Sequence, residues 1–311
     1  MRAKSIVHAA VAALALCAIA GRADADPARA WAAARDNLPA QTALVIGADL
    51  TAISKSQAWS QLLPRALAGA PDAQKVLETI RTSCKIDPLT AIHGVVYATD
   101  ADRKQGAVYF SLGAGLDQGK LTKCFAEVAK ASGAKDAKLT VKKTGAITEI
   151  TLDKDRAYVS WIGADVLVVA SDVRDRAVLE KWVGQKGGLA RSPLAKLHGR
   201  ANTRGALWGA SAIAKELDPG LNMKSAHGAL TLSGGNLVID LHTTLDSAKA
   251  AADAVAKANA QIAAVAGTAQ VPAGVKAMLQ GVSVKARGAE VAVRASVPEA
   301  ELLGILSMLG P

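Results

Sequence analysis

Aromatic side chains are nearly missing from this chain: five Trp, three Tyr and two Phe make up 3% of its 311 residues. Half of the chain is nevertheless hydrophobic. The core must therefore be built from Ala, Val and Leu in many small contacts, and such an apolar, periodic sequence is not disordered. Few rings, and no basic stripe interleaved with stacking residues, exclude nucleic acid as the expected partner. The five histidines form no HExxH or HxH pattern, and the three cysteines form no metal-binding spacing. No metal and no cofactor are therefore expected. A G-x-S-x-G elbow is absent. No stretch approaches 18 uninterrupted apolar residues, so nothing in the mature chain is expected to span a bilayer as a helix.

What is present begins with an export signal. Arg2 and Lys4 precede a short apolar run, residues 6–20, and Ala23-Asp24-Ala25 has the small-x-small form that signal peptidase cuts. Residues 1–25 read as a signal peptide and Asp26 as the first mature residue. Leu16 stands before Cys17 where lipoprotein signals carry a small residue, so a lipid anchor at Cys17 is not expected. The full chain has a formal charge of +10. Removal of residues 1–25 takes away Arg2, Lys4, Arg22 and Asp24 and leaves +8. That balance favours anionic envelope partners, or only keeps a soluble protein dispersed. Cys84 and Cys124 remain, as a disulfide or as two buried thiols. The exported compartment favours the disulfide.

One stretch occurs twice. Residues 92–125 and 226–255 each begin His-Gly, run as an apolar strand, turn, return as a second strand, reach an Asp and continue as a helix. The stretches 156–183 and 281–309 repeat the same strand-turn-strand-cap-helix plan, and 205–217 parallels 43–54 as strand, Gly, link, helix. Alternation is expected to place Leu237, Ile239, Leu241, Thr243 and Leu245 inward and Asp240, His242 and Thr244 outward. The apolar run 165–171 reads as a strand covered on both faces. Helices are expected near 53–63, stopped by Pro64, and near 72–84 behind an Asp72 cap. Asp117, Asp172, Asp246 and Pro298–Glu299 are expected to start four further helices.

The fold expected is α+β, a tandem duplication of β-α followed by two β-β-α units, with antiparallel sheets and helices on one face. The expected divisions are an N-terminal arm or short helix 26–37, a first repeat 38–185, a basic linker 186–203, read as a solvated connection with an anion-binding ribbon as the alternative, and a second repeat 204–311. The basic stretch carries Lys186, Arg191, Lys196, Arg200 and Arg204 and no acid.

Motifs for chemistry are thin. Gly113-Ala114-Gly115 with Gly119 mimics a dinucleotide loop, but the third Gly is one residue late. Lys143-Thr144-Gly145 matches a β-lactamase motif, yet Ser132–Lys135 lies too close to serve as its partner, and KTG reads as a hairpin turn. His93 and His227 occupy corresponding places in the repeated stretch; a structural role at a strand entry is expected for both. With Asp240 they are the candidate ligand-binding residues. No catalytic residue is assigned.

The opening segment, residues 38–59, carries Leu38, Pro39, Thr42, Gly47, Asp49, Leu50, Ser56 and Trp59 in an order that resembles a bacterial family of exported proteins of unknown function. Its members are built from repeated α+β units and are often lipid-anchored. The resemblance implies an envelope location. The expectation is a non-catalytic exported binding or structural protein of the periplasm, cell envelope or extracellular space, partnered by anionic envelope components or another envelope protein. The alternative is a hydrolase or small-ligand carrier with a site between two lobes.

Overall fold

A computed structural model describes residues 26–113, 116–131, 139–152, 155–218 and 221–308. The expected signal peptide with Cys17, the segment 132–135 and residues Ala114 and Gly115 lie outside them.

The fold is α+β around one antiparallel sheet of 13 strands. Its strands are β1 (Leu44–Asp49), β2 (Ile92–Thr99), β3 (Gly106–Leu112), β4 (Leu139–Thr144), β5 (Ile147–Leu152), β6 (Asp155–Ile162), β7 (Val166–Ala170), β8 (Leu207–Ser211), β9 (Lys215–Asp218), β10 (Leu221–Ser233), β11 (Asn236–Leu245), β12 (Ser283–Arg287) and β13 (Glu290–Pro298). They lie in the order β12-β13-β11-β10-β8-β1-β2-β3-β7-β6-β5-β4, with β9 paired to β10 alone. Reading outward from the β1·β8 seam, β1-β2-β3-β7-β6 and β8-β10-β11-β13-β12 follow one plan. The first half adds the β4–β5 hairpin. At the seam Gly47 pairs with Trp208 and Ile46 with Gly209. The halves thus meet edge to edge through this antiparallel pairing.

Turn chemistry closes the hairpins as the sequence requires. Gly145 of the KTG turn has φ +63, and Gly234 and Gly235 have φ +58 and +74 between β10 and β11. These are left-handed conformations that Gly adopts without a Cβ clash.

The helices are α1 (Ala28–Asn37), α2 (Leu50–Ser54), α3 (Gln57–Ala68), α4 (Pro71–Cys84), α5 (Pro88–Ala91), α6 (Gln118–Ala131), α7 (Arg176–Val183), α8 (Ala248–Gly267), α9 (Ala273–Gln280) and α10 (Glu299–Met308). Asp117 accepts from the Lys120 amide as expected. Other caps move by a few residues. Asp175, not Asp172, caps α7, and Ser247, not Asp246, caps α8. The helix α4 starts at Pro71, with Ala70 before it, so Asp72 falls inside the first turn. Glu299 accepts from the amides of Gln57 and Ala58 and so caps α3, 242 and 241 residues away in sequence. Pro64 does not stop α3, which continues to Ala68. The link after β8 forms β9 rather than a helix, because it can extend the β10 ladder.

Helices cover both faces of the sheet, which corrects the one-face expectation. Tyr109 and Phe110 are neighbours on β3 and point oppositely. Tyr109 joins a core with Ala30 and Ala34 of α1, Val45, Val96, Val168, Leu179 and Trp182. Phe110 joins a second core with Ile80 of α4, Leu121 and Cys124 of α6, Leu167 and Val169. Strand β7 is buried at every position, as its unbroken apolar run requires. The disulfide Cys84–Cys124 ties α4 to α6 over the Phe110 face.

Two segments expected to lie outside the core belong to it. Within 26–37, Ala28–Asn37 forms α1, the helical one of the two expected readings, and it is packed into the core with Ala30 and Ala34 fully buried. The basic stretch is not a solvated linker. Leu189, Leu194, Leu197 and Ala201 are buried in the Tyr109-side core, and the cations remain exposed. Spacing of three to five residues between apolar positions gave that signal, but the density of Gly and charge masked it.

Candidate functional site

On the Tyr109 side of the second half, alternation brings titratable side chains from three strands together. His227 on β10 pairs with His242 on β11. On the far side His242 pairs with Ala292, Asp240 with Arg294, and Thr244 with Glu290 on β13. All of these side chains except Thr244 and Ala292 enter one network. The two imidazoles stack with ring centres 4.8 Å apart and planes 11° from parallel. Nδ1 of His242 lies 2.9 Å from Oε1 of Glu290, and Nε2 lies 3.1 Å from Oδ1 of Asp240. Arg294 Nε donates to the same Asp240 oxygen at 3.0 Å. Arg200, from the basic stretch, donates to Oε2 of Glu290 at 2.6 Å. The network therefore fastens the C-terminal end of that stretch to the second half of the sheet.

Electrostatics follow from this geometry. His227 is 5% exposed. Burial, then the charges of Arg200 and His242, hold its pKa below the ordinary histidine value, against the smaller pull of Glu290 and Asp240. Burial alone would raise Glu290. The Arg200 and His242 hydrogen bonds outweigh it and hold the carboxyl below its usual range. Both groups bind protons less readily in the folded chain than in the unfolded one. Stability is therefore expected to fall as pH drops below 6.5, where unfolded His227 takes up its proton, and to fall again below 4.5, where unfolded Glu290 does. Denaturant unfolding at pH values above and below 6.5 measures the first step. His227→Gln is expected to reduce that step without abolishing it, since His198 is also lowered, by burial and by Arg35.

The sequence candidates divide. His227 and Asp240 come together through His242. His93 does not join them. It is the extra residue at a register shift in β2, and two strands separate β2 from β10. With five residues of offset along the strands, strand spacing and rise place it roughly 20 Å away. Its Nδ1 faces Thr51 Oγ1 at 3.3 Å, and a Cβ on Gly113 would lie 3.1 Å from its Nε2. No acid completes a relay there among the contacts of the described residues. Nor do the two His-Gly steps correspond in the sheet. His227 is paired on both sides, with Ala210 and His242, whereas His93 lies at the β2 bulge, beyond the end of the β1 ladder at Asp49–Gly94. Sequence similarity aligned the dipeptides, whereas the ladder pairs them differently.

Arg200 was read only as one cation of the basic stretch, and Glu290 and Arg294 were not singled out from the sequence. Glu290, Ala292 and Arg294 alternate along β13, so a polar side of that strand was legible; its position beside Asp240 was not. Among the described residues no group of three or more His, Cys, Asp or Glu could hold a metal ion. No Ser, Thr or Cys is hydrogen-bonded to His227 or His242 among the contacts given above.

No protein-family model matches this chain, and no curated protein matches it. The resemblance of residues 38–59 therefore rests on those residues alone. Among solved structures, two crystal forms of a protein designated TP0453 are similar. Form III is 12% identical at TM-score 0.44, over 92% of this chain and 100% of that one. Form IV is 13% identical at TM-score 0.46, over 89% and 98%. A likeness this distant carries no argument about function.

Proposed function

We propose that this is an exported, non-catalytic binding or structural protein of the bacterial cell envelope. One observation carries the reading: the side chains best suited to chemistry are spent on each other. Both nitrogens of His242 face carboxylates, Glu290 and Asp240 each hold an arginine, and His227 is shut beneath the stack. A general base needs a substrate proton within reach; this network instead holds a surface segment to the sheet. Export is supported by the expected signal at residues 1–25 and fits the Cys84–Cys124 disulfide. The test pairs two measurements. N-terminal sequencing of the secreted protein is expected to begin at Asp26. Hydrolase activity-based probes are expected to label neither the wild type nor His227→Gln. Labelling that disappears with His227→Gln would establish the hydrolase reading instead.

The carrier alternative has one observation in its favour. At the seam, on the Phe110 side, Ile46, Leu207 and Leu241 remain 40%, 42% and 47% exposed. Ile46 and Leu241 flank Gly209 and Gly228 in one lateral row. Large aliphatics at the middle of a sheet are ordinarily covered. A thermal-shift screen of apolar ligands, repeated on Leu241→Ser, tests it: a ligand-induced rise in Tm lost in the variant supports the carrier, and no rise in the wild type removes it.

A further inference from the structure

The basic stretch 186–204 is a strap laid over the Tyr109 face, with both ends fixed. At its start Gly188 lies against the backbone of residues 38–40, where a Cβ would fall 2.2 Å from the Leu38 carbonyl oxygen. At its end Arg200 holds Glu290. Between these ties, Leu189, Leu194 and Leu197 are buried at 2%, 0% and 9% exposure, and Ser192 Oγ donates to the Leu189 carbonyl. The backbone is therefore positioned by its apolar residues, and Lys186, Arg191, Lys196 and Arg204 are left exposed. None of the four has a carboxylate partner among the described residues. Arg35 of α1 adds a cation close to His198 of the strap, although it is paired with Asp36.

Resting on the envelope reading above, we propose that this strap is an electrostatic docking surface for a phosphate-bearing anionic bilayer. Four unpaired cations on a fixed backbone, with no acid in the stretch, are a concentration of one sign that a solvated linker does not need. The strap has no Trp, Tyr or Phe, and so no platform for stacking the bases of a nucleic acid. Thr203 and Arg204, at its end, line a cleft of about 140 Å³ with Trp31 and Trp208; Lys186, Arg191 and Lys196 present exposed charge. A lipid surface asks for this, since it attracts polybasic segments within about a Debye length and demands no fixed register.

The test is co-sedimentation of the mature chain with phosphatidylglycerol–phosphatidylcholine vesicles, and with phosphatidylcholine vesicles alone, at low and high salt. Binding is expected to the anionic vesicles only and to vanish at high salt. Changing Lys186, Arg191, Lys196 and Arg204 to Gln one after another is expected to lower the partition coefficient about fivefold per cation. The control pair Lys142→Gln and Lys143→Gln, on exposed positions of β4, is expected to leave binding unchanged. Unaltered Tm in all variants shows that folding is not the cause. The proposal is overturned by absence of vesicle binding, by equal losses in the β4 control, or by binding to a soluble acidic polysaccharide without binding to vesicles. None of these results would restore a catalytic reading. Probe labelling would overturn the non-catalytic reading while leaving the vesicle result standing.

Discussion

Trp208→Ala is expected to lower the unfolding free energy by about 3–5 kcal/mol, the range for truncating a buried aromatic. Trp208 is 5% exposed and stands at the β1·β8 seam, where the two halves pair. Its ring fills the space above Gly47, where a Cβ would lie 2.2 Å from Cε2. Trp31 of α1 meets it edge-on with ring centres 4.8 Å apart, a geometry worth about 0.5–1.5 kcal/mol beyond burial. Alanine at 208 leaves the ring-shaped space above a glycine, so Gly47 beneath it offers no side chain to fill the gap. Equilibrium denaturation followed by far-UV circular dichroism measures the change. A loss below about 1 kcal/mol would mean that the seam does not depend on this ring. The converse substitution, Gly47→Ala, pushes a methyl into the ring and is expected to cost about 1–3 kcal/mol by overpacking. The pair together are not expected to add, because they share one contact.

Removing the disulfide, by Cys84→Ser with Cys124→Ser, is expected to cost about 4 kcal/mol in the chain-entropy model, for a sequence separation of 40. Its loss has a particular locus. The segment from α2 to α5 is inserted between β1 and β2, and the corresponding link in the second half, between β8 and β10, carries only β9. Ile80 buries against the sheet's Phe110-side core, but exposed and half-exposed positions dominate the rest of α4 where it is described. Hydrogen exchange is therefore expected to show α4 losing protection first in the serine variant, while β1, β2 and β3 stay protected. Uniform loss across sheet and helix would show that the bridge stabilises the whole molecule rather than this insertion.

The sequence made much of the fold legible because its signals are local. Strict alternation in residues 236–245 marks β11, and a short apolar run such as VLVVA reads as a strand buried on both sides, which β7 is. Glycine where φ must be positive marks the turns at Gly145 and Gly234–Gly235. Helix starts were legible to within a few residues, since any Asp, Ser or Glu near a strand end can reach a free amide. Which one does so depends on where the chain turns, as Asp175 and Ser247 show. Glu299 shows the limit of that reasoning. The same acid that fits its own helix start serves α3 from the other half.

Residue by residue, then, the chain itself determined the strand and helix content, the repeated order of units, the cysteine pair and the sign of the surface charge. Each follows from periodicity or composition within a short window. Tertiary structure alone decided that both halves share one sheet through β1·β8, that helices occupy both of its faces, and that the charged stretch lies on the core. It also decided that His227 and Asp240 meet while His93 stays apart. The reason is common to all four: ladder register and the side a strand presents are set by pairings between residues far apart in sequence, and a shift of one residue reverses every side chain.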